Sequence, residues 1–135
     1  CSGWKLKKGA MASSAAPDDN NLVVMGVSAE DMSVAANYVI EQGGGQVVVA
    51  DGKILEFLPL PVGGIVSDLE PEEIAAWEKK IDQAARSLGS DLPDPMMYMF
   101  FLPITAIPDY AITDAGPVDS TALTTFEPVL EVMEK

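Results

Sequence analysis

The sequence predicts an α/β (α+β) fold in which two main helices pack on a mixed β-sheet, within one compact domain over residues 1–135. A length of 135 residues is typical of one domain, and a hydrophobic content of 48% is enough to form a core. Strand-like and helix-like segments alternate along the chain. A hairpin signal between two strand-like runs also requires the sheet to be at least partly antiparallel.

The first elements predicted are a short strand and a helix. Residues 22–25 form an apolar run typical of a strand. Ser28 then has the position of a helix N-cap, with Asp31 three residues later as its capping-box partner. Gly43 is expected to end this helix in a left-handed conformation. The apolar face of the helix is predicted from residues at three- and four-residue spacing: Met32, Ala35, Ala36, Val39 and Ile40.

A β-hairpin is the firmest local prediction. Residues 46–50 and 53–58 both resemble strands, and only Asp51 and Gly52 separate them. This dipeptide suits a tight turn because both of its residues tolerate a positive φ. Residues 59–64, rich in proline and glycine, are expected to leave the sheet as an irregular apolar loop.

The second main helix is predicted from residue 71 to the glycine at residue 89. Pro71 suits the first helical position, and Glu72 and Glu73 suit the positive end of the helix dipole. Gly89 is expected to end the helix. A continuous apolar stripe consists of Ile74, Trp77, Ile81, Ala84 and Leu88.

The last third of the chain gives a weaker signal. Residues 93–95 (Pro-Asp-Pro) break regular structure, and residues 97–102 are interpreted as a buried strand. The segment from there to residue 126 is punctuated by proline and weakly periodic, so its elements are not placed.

Charge and composition exclude several classes of function. Eight Lys and Arg residues against 21 Asp and Glu residues give a formal charge of −13, which disfavours nucleic acid and anionic membrane surfaces as partners. No apolar run is long enough to cross a membrane, and a cytoplasmic protein is expected. The single cysteine, Cys1, excludes an internal disulfide and a multi-thiolate zinc site. The absence of histidine excludes a Ser-His-Asp triad and imidazole metal ligands, so we expect neither catalytic nor metal-binding residues here.

Four features have both a structural and a functional interpretation. Glycines 43–45 follow a helix and precede a strand, which favours a helix end over a phosphate-binding loop. Residues 17–21 lack the spacing of a calcium loop, which favours a solvated turn. The methionines and phenylalanines of residues 96–101 favour core packing over a soft-metal or hydrophobic binding surface. Trp77 suits either a core position or an anchor against an absent partner domain.

Five collinear segments resemble one known family. The motifs are Gly-Ala-Met-Ala-Ser-Ser at 9–14, the Asn-Leu-Val-Val-Met-Gly and Glu-Asp-Met pair within 21–32, the glycine-rich strand pair at 43–53, Leu-Pro-Leu-Pro-Val-Gly-Gly-Ile-Val-Ser-Asp at 58–68, and the Phe-Leu-Pro, Ile-Pro-Asp-Tyr and Thr-Asp-Ala-Gly set within 101–116. In this order they resemble the C-terminal domain of bacterial and archaeal adenine deaminases of the amidohydrolase superfamily.

The resemblance implies a division of labour. Enzymes of this family hydrolyse adenine to hypoxanthine and ammonia, using an Mn²⁺ or Fe²⁺ centre that His and carboxylate ligands hold on a TIM-like barrel. This chain would then be a domain without catalytic activity of its own. Its partner would be an N-terminal amidohydrolase barrel of the same polypeptide, which residues 1–135 do not include. Formation of a homo-oligomer is left open.

The resemblance also implies a small set of substrate-proximal candidates. Where the family has a His-Asp-x-His-Asn motif, Pro17 and Asn20 replace the two histidines, and neither can act as an imidazole. Asp18 and Asn21 match the motif, and Ser14 matches the preceding Ser-Ser pair. Ser14, Asp18 and Asn21 are therefore carried over as candidates near the substrate, in an enzyme of adenine or altered specificity.

Two alternatives to this function stay open. One is a free-standing acidic binding or interaction module that shares the fold. The other is a secreted lipoprotein domain beginning at Cys1. Upstream coding sequence discriminates among the three, since they predict a barrel with a His-x-His strand, no further domain, or a signal peptide, respectively.

Overall fold

A four-stranded sheet with helices on both faces organises most of the chain. The structure is a computed structural model that describes residues 3–16, 21–106, 109–113 and 115–127. The sheet has the order β2-β1-β3-β4, from β1 (Ala10–Ser13), β2 (Val23–Gly26), β3 (Gly45–Ala50) and β4 (Lys53–Pro59). The helices are α1 (Ala29–Glu41), α2 (Pro71–Ser87) and α3 (Pro95–Phe101). A second sheet comprises β5 (Tyr110–Thr113), β6 (Gly116–Asp119) and β7 (Thr124–Thr125).

All strand pairs that the structure describes are antiparallel. Strands β2 and β3 both pair antiparallel with β1, so β2 and β3 run in the same direction. Helix α1 connects them as a crossover, and β1 lies between them. The α/β class is confirmed. The described sheet is antiparallel rather than mixed, because β1 separates the two strands that run parallel.

Strand β3 is buried on both faces of the sheet. Its side chains alternate in direction, as in any strand. Val47 and Val49 belong to a cluster with Val39 of α1, whereas Val48 belongs to a second cluster with Ile81 of α2. The two main helices therefore cover opposite faces of the sheet, which explains why an uninterrupted apolar run forms this strand.

Helix α1 begins as the sequence predicts but uses Asp31 differently. The Ser28 hydroxyl accepts a hydrogen bond from the backbone N–H of Asp31 at 3.1 Å, which confirms the N-cap. The predicted capping box is wrong: the buried Asp31 carboxylate accepts instead from the N–H of Gly52, at 2.8 Å. The predicted apolar face is wrong at Ile40, which is 66% exposed. Successive residues of a helix point about 100° apart. Because Val39 points into the core, its neighbour Ile40 points away from it.

The hairpin and the loop after it are confirmed. Asp51 and Gly52 have φ values of 53° and 70°, as a two-residue turn of this type requires. Strand β4 ends at Pro59, and an isolated bridge between Val62 and Val66 orders the loop that follows.

Helix α2 agrees with the sequence at both ends. Pro71 is its first residue, and Glu70 and Glu73 form a capping box. Gly89, with a φ of 112°, ends it. The burial is deepest in the second half of the predicted stripe, where Ala85 replaces Ala84 as the fully buried alanine. The residues buried or partly buried against the core are Trp77, Ile81, Ala84 and Ala85 of the helix and Leu88 directly after it.

The buried strand predicted for residues 97–102 is wrong, because this segment belongs to α3. The Asp94 carboxylate caps the helix by accepting from the N–H of Met97 at 3.1 Å, and Pro95 is the first helical residue. Met96 and Met99 are buried, and Met97 is exposed. The core interpretation of the methionines is therefore confirmed at Met96 and Met99 only.

The last third of the chain folds into the small second sheet, with the order β5-β6-β7. The Thr113 hydroxyl donates to the carbonyl of Gly116 at 2.8 Å, which links the end of β5 to the start of β6. Ile112 is 86% exposed on this sheet. Few apolar side chains are buried here, which explains why the sequence shows so little periodicity.

Candidate functional site

A cleft forms where three segments meet at one end of the four-stranded sheet. The segments are the end of β1 at Ser14, the glycines 43–45 after α1, and the loop of residues 61–65. The cleft has a volume of about 310 Å³, and Asn21, Leu22 and Ile40 also line it. We call it the glycine cleft. It contains two of the three predicted site residues.

Ser14 holds these three segments together. Its hydroxyl donates to the carbonyl of Gly64 at 2.6 Å and accepts from the N–H of Gly45 at 2.8 Å. Its own N–H donates to the carbonyl of Gly45 at 3.0 Å. A nucleophilic serine needs a neighbouring base, and the hydrogen-bond partners here are backbone groups. The arrangement is that of a structural clamp at the cleft.

The glycines permit an approach of two backbones that other residues would block. A Cβ atom at Gly44 would lie 2.4 Å from the Cα of Gly64, and φ at Gly44 is +131°. The N–H groups of Gly43 and Gly44 donate to the carbonyls of Ile40 and Val39, as at a helix end. With the N–H of Gly45 bound to Ser14, these amides are all used within the protein. The helix-end interpretation is confirmed over the phosphate-binding loop.

Of the other two predicted site residues, the structure describes only Asn21. Asn21 is exposed and lines the glycine cleft beside Ser14. Asp18 lies outside the described residues, as do Pro17 and Asn20, so the turn predicted for residues 17–21 is described only at Asn21. The sequence brings Ser14 and Asn21 into one motif, and the structure brings them into one cleft.

Sequence reasoning missed the other wall of the cleft. Gly64 and Ile65 contribute to it from a loop about fifty residues beyond Ser14. The Gly63-Gly64 pair was a usable signal, because adjacent glycines often mark a close approach of backbones.

A larger cleft of about 560 Å³ lies on the α2 and α3 side of the sheet. Glu78, Lys79, Asp82, Met97 and Phe100 are among its lining residues, and none of the predicted site residues is. One oxygen of Asp82 accepts from Arg86 at 2.7 Å, and its other oxygen is buried without a partner in the described structure. The exposed part of the methionine-rich segment therefore lines a surface groove.

The described residues contain no group of three or more His, Cys, Asp or Glu side chains arranged to hold a metal ion. No described helix combines the length and the apolar character needed to span a membrane.

The geometry defines a small α/β domain with a clamped, glycine-lined cleft at one end of its sheet. A family model described as the adenine deaminase C-terminal domain matches residues 1–124. The chain belongs to this family, and the resemblance stated from the sequence is confirmed.

Individual relatives agree with the family. The chain is 78% identical over 130 residues to "Adenine deaminase 1" of Desulfotalea psychrophila, a match that covers 96% of this chain and 22% of that protein. It is 63% identical over 131 residues to "Adenine deaminase 1" of Latilactobacillus sakei, covering 97% of this chain and 22% of the relative. "Adenine deaminase 4" of Rhizobium meliloti is 57% identical over 128 residues, with 95% and 21% covered. The chain thus spans about a fifth of the length of these relatives.

Proposed function

We propose that this chain is the C-terminal domain of an adenine deaminase and has no catalytic activity of its own. The enzyme as a whole would hydrolyse adenine to hypoxanthine and ammonia. The observation that carries the proposal is the match of residues 1–124 to the C-terminal domain family. In agreement with it, the chain covers only 22% of the length of the Desulfotalea psychrophila and Latilactobacillus sakei relatives. The catalytic portion would be the amidohydrolase barrel in the remaining length of the polypeptide.

The Mn²⁺ or Fe²⁺ centre that the family implies does not fit the residues of this chain. The sequence contains no histidine, and the described residues bring no set of three ligands together. Its ligands would therefore come from the barrel portion, and no chemical step is assigned to residues 1–135.

The glycine cleft would form a wall near the substrate. Asn21 is the residue we assign to the substrate side, because its exposed side chain lines the cleft. Ser14 would be a positioning residue that fixes the two glycine loops through its hydroxyl. Asp18 stays a prediction, as do a cytoplasmic location and formation of a homo-oligomer.

A chimeric enzyme tests this division of labour. The chain replaces the matching C-terminal part of the Desulfotalea psychrophila protein, and loss of adenine and release of ammonia are measured with Mn²⁺ present. The unaltered relative is the positive control. A version of the relative without its C-terminal part and the 135-residue chain alone are the negative controls.

We expect the chimera to deaminate adenine and both negative controls to be inactive. Turnover by the 135-residue chain alone would show that it is catalytic and would refute the proposal. Equal rates for the chimera and the shortened relative would instead favour a module whose function is independent of the barrel.

A further inference from the structure

Exposed apolar side chains border the glycine cleft: Ile40 and Ile65 line it, and Val62 and Val66 lie in the same loop as Ile65. The four side chains are Ile40 at the end of α1, and Val62, Ile65 and Val66 in the loop after β4. Their exposed fractions are 66%, 56%, 38% and 54%, respectively. We call these four residues the apolar rim. Clustered exposed apolar side chains are typical of interaction sites, whereas isolated ones are not.

The loop that supplies most of the apolar rim also lacks charge, in a chain with a formal charge of −13. Residues 57–67, which supply three of its four members, contain no Asp, Glu, Lys or Arg. The central parts of protein interfaces are depleted of charged residues in the same way. An uncharged loop on so acidic a domain suits an apolar partner surface rather than a basic one.

The apolar rim is held in a fixed shape before any partner binds. The N–H groups of Val62 and Val66 each donate to the other residue's carbonyl, at 3.0 and 3.1 Å. The Ser14 hydroxyl fixes the same loop through Gly64. A surface that is already ordered loses less conformational entropy on association, which favours docking.

We propose that the apolar rim docks against the portion of the enzyme polypeptide that precedes this domain. This inference rests on the proposed function. The Desulfotalea psychrophila and Latilactobacillus sakei relatives have nearly four-fifths of their length outside the match, so a large tethered partner is available.

The four side chains of the rim are few compared with the roughly 20–30 residues that each partner contributes to a stable free interface. A tethered domain needs less contact, because its partner is held at a high effective concentration. The tethered portion is therefore favoured over a second copy of the chain.

Cysteine labelling of the full-length chimera tests the docking. Val62 and Val66 are each replaced by cysteine, and Val27→Cys is the matched control, because Val27 and Val66 are 55% and 54% exposed in the domain. Val27 precedes α1, whereas Ile40 of the rim lies in the last turn of the same helix. The control site and the rim therefore lie at opposite ends of α1. Maleimide labelling at each site is followed by mass spectrometry of the peptide, in buffer and in urea.

We expect Val62→Cys and Val66→Cys to react at least about tenfold more slowly in the native protein than in the unfolded one, because reaction requires local opening. For Val27→Cys we expect the native rate to be close to the unfolded rate. The same result for Val62→Cys and Val66→Cys would overturn the proposal. If an oligomer dissociates on dilution and the protection is lost with it, the rim contacts a second copy of the chain. This result would also overturn the proposal.

The labelling result is independent of the activity assay. A chimera that deaminates adenine but labels rapidly at the rim rejects the docking and keeps the proposed function. A chimera that is inactive but protected at the rim keeps the docking and rejects the deaminase assignment.

Discussion

One hydroxyl group, that of Ser14, connects three backbone segments at the glycine cleft. Its loss would leave the N–H of Gly45 and the carbonyl of Gly64 without their partners. An unsatisfied polar group in a partly buried position costs more than the hydrogen bond itself contributes, because the group has already lost its water. We therefore expect Ser14, for which the family resemblance implies a position near the substrate, to contribute to stability as well.

Ser14→Ala is expected to lower the free energy of unfolding by about 1–3 kcal/mol, because two backbone groups lose their partner. Urea unfolding followed by tryptophan fluorescence measures this, since Trp4 is buried in the core. Ser33→Ala is the matched control: Ser33 is exposed on α1, and the change there is expected to stay within about 0.5 kcal/mol. Equal midpoints for the two variants would contradict the clamp.

At the scale of elements, the contrast between the hairpin and α3 shows what local sequence can predict. The hairpin was predictable because Asp51 and Gly52 adopt the conformation that their own chemistry favours. Residues 97–102 were misassigned because a short apolar run has no clear period and fits a buried strand or a buried helix. The deciding signal was the Asp94-Pro95 pair before it, which caps and starts a helix.

Asp94→Ala is expected to destabilise the domain by about 0.5–2 kcal/mol, the usual cost of losing an N-cap. Asp94→Asn keeps an oxygen that can accept from the N–H of Met97, so it should lose much less. The midpoints of urea unfolding of the two variants provide the measurement. A loss as large for asparagine as for alanine would mean that the charge, rather than the cap, stabilises α3.

At the scale of the whole molecule, contacts between distant residues are what the sequence could not predict. The bond from Ser14 to Gly64 spans 50 residues, and that from Gly52 to Asp31 spans 21. Neither follows from local propensity, because each depends on which strands become neighbours. The order β2-β1-β3-β4 inserts the first strand between two later ones, and this insertion makes the sheet antiparallel. The resemblance proposed Ser14 and Asn21 as candidates, but only the fold shows that they line one cleft and that Gly64 forms its opposite wall.

The apolar rim gives a prediction that differs between the separate domain and the whole enzyme. In the separate chain, Val62 and Val66 are more than half exposed, so replacing both with glutamine should change the stability by no more than about 0.5 kcal/mol per site. In the full-length chimera the same side chains would be covered, and each buried polar group should cost about 1–3 kcal/mol. Hydrogen exchange of the β3 amides reports the stability of this domain in both contexts. Val27→Gln, with a similar exposure, should have little effect in either. A double variant that shifts exchange equally in the chain and in the chimera would mean that nothing covers the rim in the enzyme.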